Sequence, residues 1–163
     1  MFLDGLESSS DNPALFLGEG NFSFSASVVR MKGWNDSSHI WASCFESDPS
    51  KLELNKKNQE ALTVKEDNKQ FLESRGCRVL ESLDAERLEE DPRLSGMNFS
   101  KIIFMFPHVK LNYDEKRINL CLQVGGKMKI DKNRRLLLNI IKSSRKVVAE
   151  DGEIIITLCK GEV

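Results

Sequence analysis

Along this chain, short apolar runs alternate with longer segments that mix charged and apolar residues. The apolar runs predict five β-strands: residues 14–17, 39–45, 77–83, 99–106 and 153–159. Runs that are apolar throughout are typical of parallel strands that are covered on both faces. The fourth run, Phe99 to Phe106, has the strongest strand pattern in the sequence.

The segments between these runs have the composition of helices. They predict helices at about 22–30, within 50–74 as one long or two shorter amphipathic helices, at 86–90 and at 131–149. Apolar residues near one face of the last helix are Leu137, Ile140, Ile141, Val147 and Val148. Asp151-Gly152 is then expected to turn the chain into the last strand. Alternation of strands and helices predicts an α/β fold, with a parallel sheet covered by helices.

The first predicted strand ends at a tight glycine turn, Gly18-Glu19-Gly20. Glycine has no Cβ, so the backbone of such a turn can approach a ligand closely. The helix that follows is expected to present its free N–H groups, and the positive end of its dipole, to the same place. The pattern lacks the third glycine of the dinucleotide fingerprint and the Gly-Lys-Ser/Thr of a P-loop, so an ordinary βα turn explains it equally well.

Other candidate residues follow the later strands. Glu46 stands where nucleotide-binding α/β folds often place an acid for ribose hydroxyls, although a solvated acid at a strand end is the simpler interpretation. Asp84 can cap the short helix that follows the third strand. Pro107 and His108 stop the fourth strand at the edge where open parallel sheets bind ligands. A loop or capping role explains His108 equally well.

Composition narrows the class of protein. The chain has 163 residues, enough for one domain with a core, and we expect a flexible segment over residues 1–12 and a domain over 13–163. The net charge of −1 gives no global signal for nucleic acid, although a local basic patch would suffice. Four scattered cysteines and two histidines complete no metal-ligand spacing, which predicts reduced thiols, no metal site and an intracellular protein. No membrane span is expected, because no apolar run approaches about 20 residues. No secretory signal is expected either, because the N-terminus lacks a basic region followed by an apolar core.

Several motifs together resemble one family. The segment Leu17 to Ser25, Leu-Gly-Glu-Gly-Asn-Phe-Ser-Phe-Ser, resembles the opening motif of rRNA (uridine-N3) methyltransferase-like domains. Further similar segments follow in the same order: Leu83-Asp84-Ala85, Ile102 to Val109, Asn133-Arg134-x-Leu136-Leu137, and Gly152-Glu153-Ile154 through Lys160-Gly161. The resemblance covers roughly residues 13–161. The N-terminal part of ferredoxin-fold anticodon-binding domain proteins carries a similar domain.

The resemblance implies a Rossmann-like fold, with a mostly parallel sheet and helices on both faces, that binds S-adenosylmethionine. Its cofactor-binding residues would come from the opening motif and from the two acidic strand ends: Gly18, Glu19, Gly20, Asn21, Phe22, Glu46, Asp84 and Ala85. The three residues of the glycine turn would line the methionine part. Glu46 would bind the ribose hydroxyls, with Asp48 as a substitute, and Asp84 and Ala85 would flank the adenine.

The resemblance also implies a catalytic segment, Phe106-Pro107-His108, where many methyltransferases hold the target base. Methyl transfer depends mostly on orienting the two reacting groups in line. N3 of uracil carries a proton that must leave, so His108 is a candidate base. Phe106 is a candidate to stack on an extruded base. The implied partner is large-subunit rRNA, and the implied location is the nucleolus or the cytoplasm.

The sequence departs from the family pattern at two places. Fifteen residues, Lys110 to Val124, separate Val109 from Gly125, where the family pattern is almost continuous. They are either a lid loop, or else translated intron sequence or a gene-model error, and we favour the second class of explanation. At the other place, the chain ends where such domains normally add two strands, so we expect a sheet that lacks them.

Two other classes of function fit parts of the sequence. One is a non-catalytic module, associated with RNA or tRNA, on the same Rossmann-like scaffold. The other is a nucleotide-dependent oxidoreductase, against which the missing third glycine argues.

Overall fold

A five-stranded parallel sheet forms the centre of the computed structural model, which describes residues 13–45, 56–107 and 125–158. The strands are β1 (Ala14–Leu17), β2 (Ile40–Ser43), β3 (Arg78–Leu80), β4 (Phe99–Met105) and β5 (Val148–Thr157). Their order is β3-β2-β1-β4-β5, and all four pairings are parallel. The predicted α/β, Rossmann-like fold is therefore confirmed. Residues 1–12 and 110–124, for which we predicted a flexible segment and an insertion, lie outside the described residues.

Three helices cover the sheet: α1 (Ser23–Lys32), α2 (Lys56–Ser74) and α3 (Gly125–Ser144). Strand β1 is buried on both sides, with Ala14 and Phe16 in one apolar cluster and Leu15 and Leu17 in the other. The first cluster includes residues of α1 and α2, so these helices lie on the same face. Within 50–74, the described residues form one helix rather than two.

The second face is covered by α3 and by two short 3-10 helices, Leu88–Glu90 and Pro92–Leu94. The hydroxyl of Ser143 on α3 accepts a hydrogen bond from the Leu88 N–H at 2.6 Å and donates one to Glu89 Oε2 at 2.9 Å. Leu88 is fully buried in the cluster that contains Leu15, which joins these elements to the sheet. The short α-helix predicted at 86–90 is thus a 3-10 helix that begins two residues later.

The boundary between α3 and β5 differs from the prediction. The helix begins at Gly125 and ends at Ser144, so the predicted helix over 131–149 is wrong at both ends. Val147 lies in the turn after α3, and Val148 begins β5, because β-branched residues pack well in a strand. Ile141, which we placed near the apolar face, is 40% exposed.

Strand β5 begins five residues before the predicted start because it contains a bulge. Phe99 of β4 pairs with Val148, whereas Lys101, two residues later, pairs with Glu153. The sequence Asp151-Gly152, predicted as a turn between elements, lies inside this bulge. A Cβ at Gly152 would lie 2.8 Å from the carbonyl oxygen of Phe99, so the close approach of the two strands requires glycine.

Candidate functional site

The carboxyl ends of the parallel strands meet at one edge of the sheet. Strand β1 lies between β2 and β4. The next two strands along the chain, β2 and β3, lie on one side of β1, and β4 and β5 lie on the other, so the strand order reverses at β1. Ligands of open α/β sheets bind in the crevice at such a point. Exposed apolar side chains follow three of the strands at this edge: Phe45, Phe106 and Leu158. The edge therefore combines a position suited to a ligand with apolar surface that could contact one.

The two glycines after β1 differ in what surrounds them. Gly18 has φ +67°, and a Cβ there would lie 2.3 Å from Cε2 of Phe104, so packing alone requires glycine at this position. A Cβ at Gly20 would have no described atom within 4 Å. The space beside Gly20 is open at the edge, which fits a turn that leaves room for a cofactor.

The side chain of Glu19 turns toward helix α1. Its Oε2 accepts a hydrogen bond from the Ser25 N–H at 3.0 Å, and its Oε1 accepts one from the Ser25 hydroxyl. Burial raises the pKa of the Glu19 carboxyl, and the bonds from Ser25 oppose that shift. The Glu19 N–H donates to the Ser43 carbonyl at 2.8 Å, which ties the turn to the end of β2.

Asn21 satisfies another donor of α1, because its Oδ1 accepts from the Ser23 N–H at 3.2 Å. The first turn of α1 therefore directs N–H groups to Glu19 and Asn21. This corrects the expectation that they are free to face a ligand. Phe22 has φ 58°, and its ring is fully buried in the core. The whole residue is without exposed surface, so Phe22 supports the turn from the core and offers no surface to a ligand.

Asn68 of α2 supports the glycine turn, a role that the sequence analysis did not predict. Its Nδ2 donates to the Asn21 carbonyl at 3.0 Å, and its Oδ1 accepts from the Arg30 guanidinium at 3.4 and 3.5 Å. It is only 7% exposed. One signal in the sequence was available, because Asn68 lies four residues before the apolar Leu72 and therefore on the same face of α2.

The segment after β3 lies beside the end of β2, since the Leu83 N–H donates to the Cys44 carbonyl at 3.0 Å. The Oδ1 atom of Asp84 accepts from the Glu86 N–H at 2.9 Å, so this side chain stabilises the turn that precedes the 3-10 helices. Asp84 and Ala85 are half-buried. Both predicted residues are therefore near the carboxyl edge of the sheet, although Asp84 already has a local structural role.

An ion-pair cluster that the sequence did not indicate lies near the same strand ends. Glu81, directly after β3, is 3.1 Å from Nζ of Lys65 and 2.9 Å from Nζ of Lys69, both on α2. The hydrogen bond from Lys69, together with Lys65, lowers the pKa of the Glu81 carboxyl. This cluster fixes α2 to the segment after β3, and so helps to place Asn68 against the glycine turn.

Phe106 follows β4 in an unusual backbone conformation. Its φ is 55°, its side chain is 45% exposed, and its N–H donates to the Thr157 carbonyl at 2.8 Å. Pro107 beside it is buried. Leu17 pairs with Phe104, so the glycine turn and Phe106 leave neighbouring strands at the same edge. His108, Glu46 and Asp48 lie outside the described residues.

A parallel sheet with a glycine turn at its reversal point defines the Rossmann-like class of domains that bind nucleotides and related cofactors. The particular family follows from comparison with known proteins. A family model described as "rRNA (uridine-N3-)-methyltransferase BTM5-like" matches residues 15–163, and the chain belongs to this family.

Relatives of the chain include much longer proteins. Human ferredoxin-fold anticodon-binding domain-containing protein 1 is 31% identical over 148 residues, which cover 91% of this chain and 20% of that protein. Heavy metal-associated isoprenylated plant protein 41 of Arabidopsis thaliana is 29% identical over 146 residues, which cover 90% of this chain and 25% of the relative. The chain thus spans about a fifth to a quarter of these relatives. No solved structure matches the chain.

In the described parts of the chain, no group of three or more histidine, cysteine or acidic side chains could hold a metal ion. Over the same residues, no helix combines the length and the apolar character needed to cross a membrane.

Proposed function

We propose that this chain binds S-adenosylmethionine at the carboxyl edge of the sheet and methylates N3 of a uridine in large-subunit rRNA. The observation that carries the proposal is the adjacency of two features: the open space at Gly20 after β1, and the exposed ring of Phe106 after β4. Membership of the rRNA methyltransferase-like family supports the reaction class. Such a reaction would place the protein in the nucleolus or the cytoplasm.

The residues of the chain have distinct tasks in this proposal. The cofactor supplies a methyl group on a sulfonium, which is reactive without an acid catalyst. Gly20 leaves room for it, and Asn68 holds the turn in place through the Asn21 carbonyl. Phe106 offers a ring against which an extruded base can stack. The proton at N3 must leave, and His108, two residues further along the chain, is the proposed base.

Calorimetric titration with S-adenosylhomocysteine tests cofactor binding. The test variant is Gly20→Val, because a Cβ there meets no described atom within 4 Å and the valine side chain should fill the space proposed for the ligand. The matched control is Ser95→Val, an exposed position before β4 at the opposite edge, whose φ of −58° and ψ of 125° suit valine. We expect wild type and the control to bind and Gly20→Val to lose binding. Equal binding by all three chains, or none by folded wild type, would overturn the proposed site.

A second candidate function is a non-catalytic module that is associated with RNA or tRNA. The observation that favours it is the name of the human relative, which describes an anticodon-binding domain. Transfer of a labelled methyl group from the cofactor to large-subunit rRNA separates the two functions. Cofactor binding without transfer favours the module, whereas transfer at full rate by His108→Ala shows only that His108 is not the base.

A further inference from the structure

The outer face of α3 carries a concentration of positive charge. Between Ile130 and Lys146 there are six lysines and arginines and a single acid, Asp131, although the whole chain has a net charge of −1. The rest of the chain is therefore acidic overall, and α3 is a local exception.

The exposed side chains of α3 form one continuous surface. We call it the α3 strip, and it consists of five residues of α3 and the residue that follows the helix: Arg134, Arg135, Leu138, Ile141, Lys142 and Arg145. Arg145 continues the helical geometry, because its N–H donates to the Ile141 carbonyl at 3.0 Å. Spacings of three and four residues link all six on one face, where the exposed acid Asp131 lies one turn before them. Leu138 and Ile141 are 57% and 40% exposed and lie between the charged residues.

Most charges of the α3 strip are available for a partner. Arg134 is 4.0 Å from Asp131, at the limit of an ion pair. No described carboxylate forms an ion pair with Arg135, Lys142 or Arg145. By contrast, Lys146, just beyond the strip, is bonded to Glu89, and Lys65 and Lys69 are bonded to Glu81.

We propose that the α3 strip binds the phosphate backbone of the RNA whose base is presented at the edge of the sheet. This proposal rests on the proposed function, and deepens it by naming a surface for the substrate. Helix α3 ends at Ser144 and the parallel strand β5 begins at Val148, so the helix runs toward the edge opposite the one that carries Phe106. The strip extends from Arg134 to Arg145, roughly 16 Å along the helix, so it can hold nucleotides that flank the target.

Charge and residue type favour RNA over an acidic protein as the occupant. Three of the four cations of the α3 strip are arginines, whose planar guanidinium groups suit phosphate oxygens. A cationic row on an otherwise acidic chain attracts a polyanion to this face and repels it from the others. The exposed Leu138 and Ile141 leave apolar surface against which sugars can rest.

Salt dependence of RNA binding tests the α3 strip. The probe is a fluorescein-labelled, single-stranded oligouridylate, measured by fluorescence anisotropy between about 50 and about 200 mM salt. The test variant is Arg135→Gln/Lys142→Gln, and the matched control, Lys32→Gln/Arg78→Gln, removes the same charge from α1 and β3. Thermal unfolding checks that both variants retain the fold, independently of cofactor binding.

Each lost phosphate contact lowers the slope of log K against log salt by about 0.7 for a single strand, so the test variant should lose about 1.4. Over the fourfold salt range, wild type should then lose about sevenfold more affinity than the test variant, and the control should match wild type. A test variant with the slope of the control would overturn the proposal, as would wild type that binds no oligouridylate. Failure of the proposed function is a separate result, since it shows as absent cofactor binding or absent methyl transfer.

Discussion

The ring of Phe104 occupies the space that a side chain at position 18 would need, since Cε2 lies 2.3 Å from an ideal Cβ on Gly18. Strands β1 and β4 are adjacent there, with Leu17 paired to Phe104. The glycine turn and the end of β4 are therefore packed together, and a substitution in one should alter the packing of the other.

This contact predicts that alanine substitutions at Gly18 and Gly20 lower the free energy of unfolding by different amounts. Gly18→Ala should lower the free energy of unfolding by about 2 kcal/mol or more, because overpacking costs about 1–3 kcal/mol and a left-handed backbone adds about 1 kcal/mol. Gly20→Ala should change it by less than about 1 kcal/mol. Denaturant unfolding of both variants measures the difference.

The double variant Gly18→Ala/Phe104→Leu separates the two causes. If overpacking contributes, the double variant should be more stable than the sum of the single changes implies. The backbone strain at position 18 would remain. Strict additivity of the two changes would show that the Phe104 ring does not limit this position.

Asn68 connects α2 to the glycine turn, which is the proposed cofactor site. Asn68→Ala should leave the Asn21 carbonyl without its donor and lower the free energy of unfolding by about 1–2 kcal/mol. If the turn is the cofactor site, affinity for S-adenosylhomocysteine should fall as well. The control is Gln70→Ala on the same helix, an exposed residue whose hydrogen bond is to Glu66. Equal affinity of the Asn68 variant and the control would show that the turn does not depend on Asn68.

The central strands could be predicted from the sequence because most of their residues are apolar. The predicted starts and ends of β1, β2 and β4 lie within two residues of the observed ones, since both faces of these strands are covered. Strand β3 is shorter than the apolar run that predicted it, because the run continues into the buried Leu83 after the paired residues end. The bulge in β5 could not be predicted, because its only trace in the sequence is Asp151-Gly152, a pair that is typical of a turn between elements.

The site was predicted less completely than the fold. Gly18 and Phe106 could be placed because they follow strands, and parallel strands end at the same edge. The inward orientation of Glu19 depends on a hydrogen bond to a residue six positions away, and the support from Asn68 comes from a different helix. Such partners depend on the packing of α1 and α2, which the motifs do not encode.

Glu19 predicts a pH dependence of stability. Burial raises its pKa above the ordinary value of 4.5, so the native state holds the proton to higher pH than the unfolded state does. This contribution to stability is complete below pH 4.5 and is lost as pH rises through the raised native pKa. Glu19→Gln keeps an acceptor for Ser25 and removes the titration, so its free energy of unfolding should fall less above pH 4.5 than that of wild type.

Glu81 is the control of opposite sign, because the hydrogen bond from Lys69 lowers its pKa. Its contribution is present above the ordinary pKa of 4.5 and is lost as pH falls through the lowered native value. Glu81→Gln should therefore lower stability at neutral pH and reduce the loss on acidification. Parallel pH profiles of wild type and Glu19→Gln would contradict the assignment for Glu19.

Phe106 has both an unfavourable backbone conformation and a role in the proposed reaction. Its φ of 55° is unfavourable for any side chain, yet its ring is 45% exposed and gains little from burial. Phe106→Gly should therefore be more stable than Phe106→Ala by about 1 kcal/mol, the reverse of the usual order, as denaturant unfolding can measure. If the ring stacks on the target base, both variants should lose methyl transfer to rRNA by about fivefold or more, because such stacking is worth about 1–3 kcal/mol. Phe106→Tyr keeps the stacking surface and should retain most of the rate, whereas unchanged transfer by Phe106→Gly would exclude the ring from substrate binding.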